Sequence, residues 1–156
     1  MSKCKCVATD NTFPELAART GQFRMGAPRS FVLRSSVHTV GFTRSADGYS
    51  SALDIWLVTD LKGQPTERCL VRSADLLADE EHLSAAERAR RERLRESGSG
   101  ITTFSADDSF SIVAFSLSGS LWVVDVASGA RQNFAQYQAV VDPRISPNGE
   151  FVAFTS

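Results

Sequence analysis

The stretch that decides the fold is SADDSFSIVAFSLSGSLWVVDVASGARQNFAQYQAVVDPRISPNGEFVAFTS, residues 105–156. Its segment 107–115 returns as 147–154, which places the two Ala-Phe pairs 39 positions apart. A period of about 40 residues with four short strands per unit is typical of a β-propeller blade. The stretch therefore predicts an all-β chain built from repeated sheets.

Within the unit, glycine-containing turns separate three predicted strands. The strands cover residues 112–115, 121–126 and about 132–135, with turns at Ser118-Gly119-Ser120 and Ser128-Gly129. Glycine suits tight turns because it adopts positive φ without steric cost. The first two strands are almost continuously apolar, whereas a sheet with one solvated face alternates polar and apolar residues. We therefore expect both sheet faces to be covered, and a two-layer sandwich is the alternative.

A second copy of the unit lies earlier in the chain. Segment 54–63 matches 121–129, and Trp56 and Trp122 are 66 positions apart, as are Gly63 and Gly129. Further apolar segments at 31–33 and 39–42 extend this copy back to about Gly26. The sequence thus predicts an incomplete β-propeller over 26–156, with about two four-stranded blades, the start of another and one inserted α-helix.

The spacing of 66 residues between the two tryptophans exceeds the 39-residue repeat period, so additional residues lie between the two copies. They are predicted to form a helical insertion at about 75–100. Ser84 and Glu87 have the spacing of a capping box, and a Ser-Gly-Ser-Gly segment at 97–100 predicts a flexible joint after the helix. Because the helix is polar on nearly all sides, we expect it to be solvated, mobile or docked through its charges. Residues 1–25 are predicted to be an N-terminal leader, with a helical turn at 13–19.

Composition narrows the class of protein. The chain is 42% hydrophobic and 22% charged, with a net charge of −1, so no basic surface for nucleic acid is expected. No apolar run approaches the roughly 18 residues of a membrane span, and the N-terminus lacks the apolar core of a secretory signal. These features favour the cytoplasm.

The three cysteines are Cys4, Cys6 and Cys69. Cys4-x-Cys6 could be half of a metal site, but no second Cys/His pair has suitable spacing. His38 falls in a predicted strand and His82 beside the predicted helix. We therefore expect reduced, free thiols, no bound metal and no cofactor.

Several segments, taken in order, resemble the N-terminal region of bacterial dipeptidyl peptidase IV-like serine peptidases, in the prolyl oligopeptidase clan. The similarity covers nearly all of the chain from about Phe13. The segments are Leu16-Ala17-Ala18-Arg19-Thr20, Gly26-Ala27-Pro28-Arg29, Trp56-Leu57-Val58, the arginine-rich run 87–96 leading into Gly100-Ile101-Thr102, and Asp142-Pro143-Arg144-Ile145-Ser146-Pro147-Asn148-Gly149.

The resemblance implies a parent enzyme in which an eight-bladed propeller covers an α/β-hydrolase domain. It also implies that dipeptides are released from peptide N-termini that carry Pro or Ala at the second position. The nucleophile of that family lies on a Gly-x-Ser-x-Gly elbow, followed by Asp and His. Segment 97–100 has no predicted strand before it and is not such an elbow. We therefore expect a fragment without a catalytic triad, inactive alone, whose partners are the remaining blades, the hydrolase domain and a peptide substrate. Homodimerisation is left open.

The resemblance also suggests substrate-binding residues. In relatives, an arginine of the inserted helix reaches the substrate backbone. By its position before Gly-Ile-Thr, Arg95 is the first candidate for this role, and Arg93 and Arg91 are the next. The alternative places these arginines on a solvated face. Glu80-Glu81 resembles the family's amine-binding pair, but that pair belongs to a later blade. The competing function is a non-enzymatic propeller scaffold for protein–protein contacts.

Overall fold

The structure is a computed structural model that describes residues 12–76, 89 and 99–156. It begins with a short helix, α1 (Phe13–Arg19), and short 3₁₀ turns lie at Ser35–Val37 and Ser73–Asp75. The strands are β1 (Arg29–Arg34), β2 (Thr39–Ser45), β3 (Ala52–Thr59), β4 (Thr66–Val71), β5 (Ser99–Gly100), β6 (Phe104–Ala106), β7 (Ile112–Leu117), β8 (Ser120–Asp125), β9 (Arg131–Phe134), β10 (Val141–Ile145) and β11 (Val152–Thr155).

The strands form three sheets, and none of them closes on itself within the described residues. The first sheet has the order β1-β2-β3-β4, with β5 added in parallel to the start of β3. The second sheet is the antiparallel meander β6-β7-β8-β9, and the third is the antiparallel pair β10-β11. The described chain is therefore mostly antiparallel β-sheet, as the sequence predicts.

The two tryptophans occupy equivalent places in the first and second sheets. Trp56 on β3 lies between Phe42 of β2 and Cys69 of β4. Trp122 on β8 lies between Phe115 of β7 and a residue of β9. Both belong to the third strand of a four-stranded meander, so the predicted repeat of 66 residues is a structural repeat.

The 39-residue repeat also has a structural counterpart. Ser105 of β6 pairs with Ala114 of β7, and Arg144 of β10 pairs with Ala153 of β11, at the same spacing. The sequence predicts that the unit starts with the strand at Ile112, whereas in the structure it starts one strand earlier, with β6. β6 has only three residues and β10 contains a proline, so neither produces an apolar run.

The main core lies between the first and second sheets. It is formed by Ile55, Leu57, Leu70, Val71, Ile101, Phe104, Ala106, Phe110, Val113, Phe115, Leu117 and Val124. The two sheets approach closely at Gly41, where a Cβ atom would lie 2.7 Å from Cζ of Phe110 and 2.9 Å from Cζ of Phe104. A larger residue at this position would push these rings out of the core.

The third sheet packs against β6 and β7 of the second. The amide of Ile145 donates to Oγ of Ser105 at 3.0 Å, and the amide of Asp108 donates to the carbonyl of Pro147 at the same distance. Val113 and Ala114, which point to opposite faces of β7, are both fully buried. The prediction that both faces are covered is therefore confirmed for β7.

Two local predictions are wrong and one is confirmed. His38 does not lie in a strand, because it adopts a left-handed conformation (φ 49°) that ends the 3₁₀ turn before β2. Ser99 and Gly100 are not a flexible joint, because they pair with Ala52 and Leu53 as β5. The predicted helical turn at 13–19 is α1, which carries a proline in its first turn, where a missing amide hydrogen costs least.

Candidate functional site

The predicted substrate-binding residues Arg91, Arg93 and Arg95 lie outside the described residues. The same is true of Glu80-Glu81, Cys4, Cys6 and His82. Between residues 77 and 98 the structure describes Ala89, which is helical and exposed. What the structure shows in detail is the base from which the insertion leaves the first sheet.

The N-terminal end of the insertion is tied to β3 by a buried carboxylate. Asp54, only 7% exposed, accepts hydrogen bonds through Oδ1 from the amide of Ser73 at 2.8 Å and from its hydroxyl at 3.0 Å. Ser73 is also buried, with 1% exposure. The carboxylate therefore satisfies two donors that no solvent reaches, and it fixes the chain just before the insertion.

The C-terminal end of the insertion is tied to the same strand. The amide of Ser99 donates to the carbonyl of Ser51 and the amide of Ile101 to the carbonyl of Leu53, both at 2.9 Å. Gly100 between them has a φ of 74°, and a Cβ atom there would lie 2.7 Å from the Leu53 carbonyl oxygen. Only glycine fits this close approach.

Together these contacts form a clamp, defined here as Ser51, Leu53, Asp54, Ser73 and residues 99–101. It holds both ends of the insertion side by side at the start of β3. The sequence offered one signal for it, since Asp54 is a charged residue at the start of an otherwise apolar run. Its partner, Ser73, could not be identified because it lies beyond an intervening strand.

Cys69, which neighbours Trp56 across β3 and β4, is a free thiol. Burial raises the pKa of this thiol above its ordinary value, and the negative charge of Asp54 raises it further. Because the thiolate is the reactive form, a raised pKa lowers the reactivity of the Cys69 thiol at neutral pH.

The first strands of the first and second sheets are joined by Arg34 at the end of β1. Its guanidinium donates from Nε to the carbonyl of Asp107 at 3.0 Å and from Nη2 to the carbonyl of Ala106 at 2.7 Å. The carboxylate of Asp108 lies 3.5 Å from Nε. A planar donor group thus caps the end of β6 and fixes the relative position of the two sheets.

The described residues offer little catalytic chemistry. They contain no group of His, Cys, Asp and Glu side chains that could hold a metal ion. His38 is the histidine in this part of the chain, and its hydrogen bonds with Ser35 and Leu61 run through the backbone.

Comparison with protein families adds no assignment, because no family model matches the chain. The helices in the described part of the chain are too short or too polar to cross a membrane. The function must therefore be argued from the sheet arrangement and from the residues that the sequence singles out.

Proposed function

We propose that the chain is the opening part of a β-propeller that covers the active site of a dipeptidyl-peptidase-like serine peptidase and controls access of the peptide substrate. In a propeller, four-stranded sheets surround a central channel, and one edge strand of every sheet lies innermost. In the present chain β1, β6 and β10 are the first strands of three successive sheets.

The observation that carries the proposal is the contact between these first strands. Arg34 of β1 binds the carbonyls at the end of β6, and Ser105 of β6 binds the amide of Ile145 on β10. The sheets therefore succeed one another through the same edge, as blades around an axis would. A sandwich would instead bury one face of each sheet against a single partner sheet.

The enzymatic part of the proposal depends on the resemblance. It assigns the hydrolytic residues to a domain outside this sequence, and it assigns to the insertion an arginine that binds the substrate backbone. Arg95 is the first candidate, followed by Arg93 and Arg91, because a permanently charged planar donor suits carbonyl oxygens. The clamp supports this role, since it anchors both ends of the insertion on a buried strand.

The proposal predicts that Arg95→Ala, made in the full-length protein, lowers kcat/KM for Xaa-Pro dipeptide release by about tenfold or more, the effect of losing one charge-assisted hydrogen bond. Steady-state kinetics with a chromogenic Xaa-Pro substrate measure it. Arg88→Ala is the matched control, because Arg88 lies in the same run but is not a candidate. We expect the control to leave kcat/KM unchanged.

Two results would count against the proposal. An unchanged kcat/KM in Arg95→Ala would place Arg95 on a solvated face. Dipeptide release by residues 1–156 alone would show that the chain contains its own catalytic centre. The scaffold alternative is distinguished by the coding sequence after Ser156: it predicts further strand repeats and then a stop, whereas the peptidase proposal predicts a Gly-x-Ser-x-Gly motif followed by Asp and His.

A further inference from the structure

The three asparagines of the chain differ in the residue that follows them. The pairs are Asn11-Thr12, Asn133-Phe134 and Asn148-Gly149. An asparagine side chain loses its amide when the backbone nitrogen of the next residue attacks it, and a bulky next side chain hinders that attack. Glycine has no side chain, so Asn148-Gly149 is the pair in this chain that is best suited to the reaction.

Asn148 and Gly149 lie in the turn between β10 and β11, called here the 146–149 turn. Asn148 is exposed to solvent, and Gly149 has a φ of 76°. The amide of Gly149 donates to the carbonyl of Ser146 at 2.9 Å, which closes the turn. The attacking nitrogen is therefore engaged while the turn is closed, and solvent base reaches its proton when the turn opens.

Hydrogen bonds also hold the side chain of Asn148. Its Oδ1 accepts from the hydroxyl of Ser146 at 2.7 Å and from the amide of Glu150 at 3.3 Å. Its Nδ2 donates to the carboxylate of Glu150 at 2.7 Å. The nitrogen that would leave is thus the one that Glu150 binds. A carboxylate in place of the Asn148 amide would put two negative charges at this contact.

The 146–149 turn also contributes to the junction between the third and second sheets. The amide of Asp108 donates to the carbonyl of Pro147 at 3.0 Å. A Cβ atom at Gly149 would lie 3.6 Å from Cγ1 of Ile112, so the glycine backbone faces the start of β7. A change in the course of the backbone at this turn therefore alters how the two sheets meet.

From this arrangement we propose that Asn148 is a site of spontaneous covalent modification whose rate is set by opening of the 146–149 turn. The products are aspartate and isoaspartate, and both weaken the junction between the third and second sheets. The inference rests on the chemistry of the turn and does not depend on the proposed peptidase function.

The reaction needs no reactant other than water and hydroxide. Hydroxide removes the amide proton of Gly149, and its nitrogen forms a bond to Cγ of Asn148. The bond from Cγ to Nδ2 breaks, and ammonia leaves after Nδ2 takes a proton from water. Water then opens the cyclic imide at either carbonyl carbon, which gives aspartate, or isoaspartate with the main chain running through the former side chain.

The test follows the full-length protein during incubation at mildly alkaline pH, with peptide mapping by mass spectrometry at successive times. We expect the mass increase of an amide-to-acid conversion, and isoaspartate, at Asn148. Asn133 is the internal control, because it is also exposed but is followed by a large side chain, and it should stay intact over the same period. A blocked peptide of residues 143–153, which lacks the folded turn, should react about tenfold faster or more.

Two variants test the role of the turn. Ser146→Ala removes the hydroxyl that donates to Asn148 and accepts from the amide of Phe151, so the turn should open more often. We expect it to speed the reaction about fivefold, the effect of losing one neutral hydrogen bond. Ser146→Thr keeps the hydroxyl and should react at the rate of the unmodified protein. If Ser146→Ala does not fold, the comparison of protein with peptide decides the question.

Amide exchange measures the structural consequence. In the modified fraction the amide of Asp108, which is bound to Pro147, should exchange faster, while the amide of Val113 in β7 should not change.

Three results would overturn the proposal. The first is a rate at Asn148 no higher than the rate at Asn133. The second is an equal rate in the folded protein and the peptide, because the turn would then not control the reaction. The third is unchanged exchange of the Asp108 amide in the modified protein.

Discussion

Ser128 donates two hydrogen bonds to the same carboxylate oxygen of Asp125, from its hydroxyl at 2.6 Å and from its amide at 2.7 Å. These bonds close the turn between β8 and β9, where Gly129 follows with a φ of 72°. Both bonds stabilise the charged form of Asp125 and therefore lower its pKa below the ordinary value. The bond from the hydroxyl has the larger effect, and the bond from the amide the next largest.

We predict that Ser128→Ala raises the pKa of Asp125 towards its ordinary value, whereas Ser128→Thr, which keeps a hydroxyl, preserves the lowered value. The folded-state pKa lies below the unfolded-state pKa, so the stabilising effect is complete above the unfolded value and is lost as the pH falls through the folded value. An NMR titration of the side-chain carboxyl carbon measures the midpoint. Equal midpoints in the unmodified protein and Ser128→Ala would contradict this explanation.

Individual residues also show what the sequence could reveal. Trp56 and Trp122 were recognisable because each interrupts a run of aliphatic residues at equal spacing from a turn glycine. The role of Asp54 was not recognisable, because its partner Ser73 follows only after β4 and a connecting turn. Pairing between residues that are distant in sequence leaves no periodic signal, so the clamp needed the fold.

At the scale of elements, the clamp makes a stability prediction. Asp54→Ala removes the carboxylate that accepts a hydrogen bond from the buried amide of Ser73, and an unsatisfied buried group costs about 1–3 kcal/mol. We therefore expect the free energy of unfolding to fall by about that amount in urea denaturation. Asp54→Asn is the matched control, because its amide oxygen can still accept a hydrogen bond, and its loss should be smaller.

An exchange measurement separates this explanation from a general loss of packing. In Asp54→Ala the amide of Ser73 should exchange faster, while amides at the centre of β7 should change only as much as global stability does. Uniform changes across the first sheet, with no local effect at Ser73, would show that Asp54 stabilises the sheet in some other way.

Some strands could be predicted from the sequence and others could not. β7 and β8 have buried apolar residues and were predicted to within two residues of their ends. β4, β6 and β10 were not predicted, because β4 begins with exposed polar residues, β6 is very short and β10 includes Pro143. Their backbones are held by pairing with the apolar strands, so their own composition carries little information.

At the scale of the whole molecule, the spacing of 39 and 66 residues predicted repeated sheets, and the sheets are present in the expected order. The same arithmetic predicts an insertion at about 75–100, and the described residues before and after it, Ser73 and Ser99, both bond to the start of β3. The position of one sheet relative to the next could not be predicted from the spacing. It depends on contacts such as Arg34 to Ala106 and Ser105 to Ile145, which join residues far apart in the chain.

The most direct test of the central claim is an experimental structure of the full-length protein that contains this chain. We predict that β1, β6 and β10 line one channel, that Trp56 and Trp122 lie on the third strands of adjacent blades, and that the channel leads to a hydrolase active site. Sheets packed face to face in two layers, with these three strands on different sides of the molecule, would contradict the account.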